Sequence, residues 1–350
     1  MFDMKLQLFG AGTLVNATTN YVNADTGAVT PFDGQNSLSP TMKTYYDTEL
    51  LENSRSELIF AQFGKKQPLP ANKGRTVEWR KLNTLPNAGV LQEAVIPTGE
   101  KASMVSMTTS LTQLGMFVAI SDLLDMHAID NILLGITEEL GASYGETKDS
   151  LIRGELMNGT NIMYCDTVAE DGGKTPVTGY AGMSTGNNRL TPDMVNKAAT
   201  WLKKCKAPKI NGKYVAVVHP SVSYDLRSSK EWIEAHKYAA TTEIFNGEIG
   251  ELHGVRFVET TNAPVHEEEG KMVYSTFFMG KNAYATIDPE GGGMEMIVKS
   301  RQQAGGPLDQ FSTAGYKFEE ATKILYPERL LRVESCSEYS DTDDANYTTD

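Results

Sequence analysis

Apolar and polar positions alternate over residues 75–82 (RTVEWRKL), with Val77 and Trp79 on one side and Glu78 and Arg80 on the other. This is the period-two pattern of a half-buried strand. A second β-like run, rich in Thr, Val, Met and Ser, covers roughly residues 102–120. Between them lies LNTLPNAGVLQEAVIPTGEK, which contains Pro86 and Pro97. The connection is too long for a compact hairpin and predicts a projecting loop that is either functional or mobile. A long two-stranded projection is marginal by itself in water and needs a surface to lie against, which a neighbouring subunit would supply.

From Ser121 to about residue 158 the period changes to threes and fours, with Ile129, Leu133, Ile136, Leu140 and Tyr144 in one stripe that Leu151 extends. At ~1.5 Å per residue this predicts a spine helix on the order of 50 Å long. Gly135, Gly141, Gly145 and Gly154 interrupt it, each at ~1 kcal/mol relative to Ala, which predicts close packing on a sheet. Two shorter helices broken near Gly141 or Gly145 are the alternative.

Other elements follow from local signals. A helix is expected over residues 39–63, opened by Ser39 and Pro40 and ended by Gly64. Thr191 and Pro192 open another, with Met194, Ala198, Trp201, Leu202 and Cys205 on one face. YVAVV, at 214–218, reads as a buried strand; GVRFVET and VYSTFFMGKNAYATI supply more. From Met294 onward the chain turns β-like, with MEMIVKS and two strands expected in YKFEEATKILYPERLLRVES. The first forty or so residues, rich in Asn, Thr, Gly and Asp, read as an extended arm. The end, SEYSDTDDANYTTD, reads as a disordered acidic tail.

Composition narrows the function. The 350 residues carry 45 acidic against 32 basic side chains, a net charge of −13. That balance argues against specific nucleic-acid binding, which favours a basic stripe. The longest apolar run, residues 116–120, is far short of a membrane span. The opening MFDMKLQLFGAG lacks the pattern of a secretory signal, so a cytoplasmic protein is expected. Cys165, Cys205 and Cys336 have no paired spacing and read as reduced thiols.

The search for catalytic chemistry gives little. His219 follows a buried strand, where α/β enzymes often place catalytic groups, but Pro220 comes next and no nucleophile motif surrounds it. A turn-forming or locally hydrogen-bonded histidine is the simpler reading. GGKT at 172–175 superficially resembles a phosphate loop, yet Val168 replaces the earlier glycine and Pro176 blocks the helix. No histidine spacing suits zinc. Neither a catalytic site, a metal nor a cofactor is expected.

The words VVHPSVSYDLRSSKEW (217–232), GEIGELHGVRFVETTNAP (247–264) and GGPLDQFSTAGYKFEEATKILYPERLLRVES (305–335), with the order of elements, carry a family resemblance. The sequence resembles the major capsid proteins of tailed phages with the Hong Kong 97-type fold, in particular the N-four-like family. The resemblance implies an α+β fold with an N-terminal arm (1–45), a helix (46–63) and an extended β-hairpin loop (64–118). It implies a peripheral domain with the spine helix and return strands (119–189 and 291–335), an axial domain (190–290) and the acidic tail (336–350). Subunits would form pentamers and hexamers and close into an icosahedral shell, the virion capsid, assembled in the host bacterial cytoplasm. The shell would enclose double-stranded DNA without sequence-specific binding, with a portal and a separate scaffolding or decoration protein as other partners and no membrane. The expected subunit interface is Val77, Trp79 and Arg80 with the loop residues Val90, Leu91, Val95 and Ile96, laid on an adjacent spine. An encapsulin-like compartment shell and, less so, a soluble α/β enzyme around His219 are the alternatives.

Overall fold

YVAVV, the one stretch that reads as wholly buried, lies inside the largest sheet of the structure. The computed structural model describes residues 20–22, 29–31, 59–70, 74–88, 90, 99–122, 132–169, 173–236, 248–290, 293–304, 308–343 and 345–347. The strands begin with a small pair, β1 (Asn20–Val22) and β2 (Val29–Pro31). Next come β3 (Lys65–Leu69), β4 (Thr76–Leu82), β5 (Met104–Ser110) and β6 (Thr112–Ser121). Then follow β7 (Ile162–Tyr164), β8 (Thr167–Val168), β9 (Lys174–Thr175), β10 (Tyr214–Val218), β11 (Glu248–Leu252) and β12 (Val255–Glu259). The last are β13 (Val265–Glu268), β14 (Lys271–Met279), β15 (Tyr284–Pro289), β16 (Glu295–Lys299), β17 (Phe311–Glu320), β18 (Thr322–Ile324) and β19 (Leu330–Ser335). The helices are α1 (Phe60–Phe63), α2 (Ile132–Met157), α3 (Pro192–Lys204), α4 (Pro220–Ser228), α5 (Lys230–His236) and α6 (Arg301–Ala304).

The large sheet runs β11-β12-β10-β14-β19-β7, with β13 paired to β14. All five residues of β10 are buried because both faces of the sheet are covered. Tyr214, Ala216 and Val218 meet Met194, Ala198 and Leu202 of α3, Val222 and Leu226 of α4, and Trp232 of α5. Val217 points to the other face, with Phe277, Leu330 and the Ile152 and Leu156 end of α2. The predicted cap of α3 is present: Thr191 Oγ1 accepts the Met194 amide at 3.4 Å and Pro192 takes the first turn.

Helix α2 joins two sheets. Its Leu140 and Tyr144 pack on the sheet β16-β17-β6, against Met296, Ala314 and Phe318. Its 26 residues span ~39 Å, and it passes through Gly141 and Gly145 without a break. Ser121 ends β6 and Asp122 after it is already helical, so Ser121 does precede helix; residues 123–131 lie outside the described ones. The close-packing reading of its glycines also fails at Gly135 and Gly154, where an added Cβ would meet nothing within 4 Å.

Other expectations need revision. The run at 102–120 is two strands, not one: β5 pairs with β4, and all ten residues of β6 pair with β17. The break is Leu111, which is buried and exchanges hydrogen bonds with Arg75 (amide to carbonyl 2.8 Å, guanidinium to carbonyl 3.0 Å). Gly64 does end α1, as expected, but in an extended conformation with φ −72° rather than a left-handed turn, and its missing Cβ leaves room for the Tyr284 ring, 2.6 Å from where that carbon would be. The rest of the helix expected over 39–63 lies outside the described residues. The boundary between 190–290 and 291–335 does not separate sheets, because β19 is hydrogen-bonded between β14 and β7. The segment 311–335 holds three strands rather than two.

The acidic tail is packed over its described part. Asp343 accepts hydrogen bonds from Ser221 (2.5 Å), Tyr274 (2.7 Å) and Ser340 (2.9 Å). Asn346 acts as an extra backbone partner: its Oδ1 takes the Val265 amide at 2.9 Å and its Nδ2 donates to the Ala263 carbonyl at 2.9 Å. A segment without apolar periodicity is thus held by polar pairing with turns far away in sequence.

Candidate functional site

Strands β4 and β5 form a two-stranded ribbon, paired antiparallel from Thr76↔Ser110 to Leu82↔Met104. Strand alternation divides its side chains between two faces. Val77 and Trp79 are half-buried and rest on their own subunit, against Leu111, Ile287 and Ala321 with Leu69 alongside. The Trp79 indole Nε1 finds no acceptor among the described residues. Lys81 pins the ribbon to the loop before β19: its ammonium pairs with Glu328 and lies 4.5 Å from the Tyr326 ring centre. Arg80 is exposed on the opposite face and pairs with Glu78 at 3.0 Å.

Beyond this base the ribbon presents bare apolar surface. Val90 is 98% exposed, Leu82 63%, Leu85 57%, Met104 56% and Val105 46%. Of the residues expected at an interface, Val77, Trp79 and Arg80 therefore lie together on the ribbon and Val90 lies past its end. Leu91, Val95 and Ile96 fall outside the described residues. The sequence reading passed over Leu82, Leu85, Met104 and Val105. The available signal was Leu82 and Met104, apolar partners directly opposite one another on the face that Glu78 and Arg80 mark as solvent-facing.

The chain that enters β3, ahead of the ribbon, is tied to α2. Asp149, buried at 1% exposure, accepts the Phe60 amide at 2.9 Å. Burial pushes its carboxyl up to about 6, with the Phe60 and Asn262 hydrogen bonds opposing. Asn262 Nδ2 reaches Asp149 at 3.4 Å, and Arg153 donates to Asn262 Oδ1 at 2.6 Å and to the Asn346 carbonyl at 2.8 Å. The Tyr284 hydroxyl donates to the Phe60 carbonyl. Between α2 and the face of β6 and β17 lies a cavity of about 650 Å³, lined in part by Leu114, Met116, Ser143, Thr147, Tyr316 and Phe318. Glu138, Glu139 and Glu146 are exposed along α2 beside it.

The enzyme-like positions have local partners. His219 caps α4, its Nδ1 accepting the Ser221 amide at 3.3 Å. The Ser221 hydroxyl donates its hydrogen bond to Asp343, not to the histidine. Lys174 of GGKT pairs with Asp193 at the start of α3, at 2.8 Å. No group of potential metal ligands occurs among the described residues, and no described helix is long and apolar enough to cross a membrane.

A family model described as phage capsid protein matches residues 105–324, well over half of the chain. The chain belongs to that phage capsid protein family. It is a structural subunit, a major capsid protein that assembles with copies of itself into a shell. This capsid protein is similar to the capsid of Helicobacter pylori bacteriophage KHP30, with TM-score 0.58, 11% identity, and 93% of this chain and 100% of that chain covered. It is similar to the capsid of cyanophage P-SCSP1u, with TM-score 0.58, 12% identity, and coverage of 80% and 88%. The capsid of Ralstonia phage GP4 gives TM-score 0.57, 14% identity, and coverage of 79% and 88%. At such identities the likeness is one of fold, the α+β Hong Kong 97-type. A search of curated proteins gives no match.

Proposed function

We propose that the capsid protein forms pentamers and hexamers that close into an icosahedral shell around phage double-stranded DNA, each ribbon lying on the spine helix of a neighbour. The exposed apolar ribbon carries this reading. Each of its Leu, Val and Met side chains would contribute about 1.5–3 kcal/mol if fully buried, and the cavity beside α2 offers an apolar bed for them. Val77, Trp79 and Lys81 hold the ribbon's root on its own subunit, so the outer part is free to reach. Arg80 on that outer face would meet the acidic edge of the adjacent spine, and Val90, Leu91, Val95 and Ile96 would extend the contact. Residues 190–290 would surround the local symmetry axes, with 119–189 and 291–335 peripheral. Assembly in the host bacterial cytoplasm, with a portal and a separate scaffolding or decoration protein, completes the proposal. The encapsulin-like alternative is less favoured, because the matching family is one of phage capsid proteins.

Negative-stain microscopy of the expressed chain, with and without a scaffold, tests the assembly. Rings or shells are expected; a strictly monomeric species under both conditions overturns it. Deletion of residues 83–101 should stop assembly while circular dichroism still reports a folded subunit.

A further inference from the structure

Although the chain carries a net charge of −13, three loops distant in sequence meet in a surface of cations. α3 ends in Lys203 and Lys204, and the turn after it carries Lys206 and Lys209. Lys206 adopts φ 55°, and the bend brings the Ala207 amide back to the Leu202 carbonyl at 3.0 Å. The Pro208 carbonyl then accepts the Lys281 amide at 2.8 Å, which sets the β14–β15 turn beside it. The loop before β19 joins through Arg329, whose carbonyl accepts the Gly280 amide at 2.9 Å and whose guanidinium donates to the Lys281 carbonyl at 3.1 Å. A Cβ on Gly280 would lie 2.9 Å from the Pro208 oxygen, so these backbones are in direct contact.

The five lysines are exposed and Arg329 is half-buried. None of the six forms an ion pair with a carboxylate among the described residues, and the adjacent Glu328 is engaged by Lys81. Lys203 and Lys204 have an internal explanation, since cations at a helix C-terminus offset its dipole. Lys209 lies 5.7 Å from the Tyr214 ring centre and the Arg329 guanidinium 3.7 Å from that of Tyr326, contacts that hold the side chains without neutralising them. The Lys206 and Lys281 ammonium groups meet no partner among the described residues. Like charges gathered this way repel one another unless an anion covers them.

We propose that this surface faces the lumen of the shell and rests on the phosphate backbone of the packaged duplex, without reading its sequence; the inference rests on the capsid reading above. Lysine is a flexible, strongly hydrated point charge, suited to neutralising phosphates without fixed geometry. A duplex offers one negative charge per ~1.7 Å of axis. A second copy could offer exposed carboxylates as well, Glu138, Glu139 and Glu146 along α2 and Glu267 and Glu269 at the β13–β14 turn, but these are set more widely than the phosphates of a duplex. Acidity elsewhere limits adhesion to DNA, leaving one face for contact.

Two measurements test this. Electron cryo-microscopy of DNA-filled shells should place residues 203–209, 280–283 and 327–329 on the lumen side, touching the outermost layer of DNA. Their placement on the outer face, or inside a subunit contact, overturns the proposal. A failed capsid reading looks different, because no shells would form at all. Separately, fluorescence anisotropy should follow the full-length chain binding a short random duplex. The variant Lys206→Ala/Lys209→Ala/Lys281→Ala should bind about tenfold more weakly at low salt, with its log–log salt slope shallower by about 2.7 if each lysine contacts one phosphate. The variant Lys65→Ala/Lys66→Ala/Lys101→Ala, with equal charge removed, should stay within about twofold of wild type. Equal losses in both variants, or no loss in the first, overturn the assignment. So does a preference of the same surface for a polyglutamate peptide over the duplex.

Discussion

Asp149 of the spine helix accepts the backbone amide of Phe60 at 2.9 Å, across 89 residues of sequence. The bond fixes the chain just before β3 to α2, which packs on both the large sheet and the sheet β16-β17-β6. Tyr284 holds the carbonyl of the same Phe60 from the other side. A ribbon can present its outer face in a fixed direction only if its root is rigid; Val77, Trp79 and Lys81 hold that root, and the Phe60 contacts fix the chain that enters β3 ahead of it.

The Asp149 carboxyl should make stability depend on pH. Burial raises it to about 6 from 3.8, so its contribution is full below the unfolded value and disappears as pH rises through about 6. Glu334, raised by burial to about 7, acts in the same direction. His266, lowered by burial to about 4, acts in the opposite one, its contribution present above 6.5 and lost as pH falls through about 4. Asp149→Asn keeps an oxygen for the Phe60 amide but cannot ionise. On acidification from about pH 7 to 5, wild type should gain about 1 kcal/mol more than the variant. Melting curves across that range check this; parallel behaviour of the two proteins would place the carboxyl's titration elsewhere.

Two glycines should respond oppositely to alanine. At Gly64 the new Cβ would lie 2.6 Å from the Tyr284 ring, which is fully buried and anchored through its hydroxyl. Overpacking there should cost about 1–3 kcal/mol. Gly135 lies on α2 with open space around it, and alanine should stabilise by up to ~1 kcal/mol. Thermal melting separates the two, and equal effects would contradict this account of the Tyr284 contact.

Asn346→Ala should loosen the tail. The Val265 amide loses the Oδ1 acceptor that it meets at 2.9 Å, and a buried donor left without a partner costs about 1–3 kcal/mol. Hydrogen exchange at Val265 should accelerate while amides of β10 stay protected. Unchanged exchange would mean that water replaces the side chain without loss.

On the ribbon, Leu82→Asp with Val105→Asp should abolish shells and leave the subunit's melting temperature nearly unchanged, because both side chains already face solvent. Trp79→Asp should instead destabilise the subunit itself, since it sets a charge against Leu111, Ile287 and Ala321. Microscopy and melting read together distinguish assembly residues from anchoring ones.

Much of the local structure was legible in the residues. Alternation marked β4, an unbroken apolar run marked β10, and Thr191 with Pro192 marked the start of α3, because each depends on neighbours a few positions away. The family words carried the fold and the capsid role. The ribbon was legible as a projection, but its two faces were not equally so. Alternation put Val77 and Trp79 on one side without saying that Ile287 and Ala321 would meet them there.

What the sequence determined by itself was therefore periodicity, caps and family, all encoded in short windows of side-chain type. Tertiary structure alone decided that β19 enters the large sheet, that the acidic tail is held by Asp343 and Asn346, and that Lys206, Lys209, Lys281 and Arg329 share a surface. The reason is physical. Each of those outcomes is a hydrogen bond or a charge juxtaposition between residues tens to more than a hundred positions apart, and no local pattern along the chain records which distant backbone will be there to receive it.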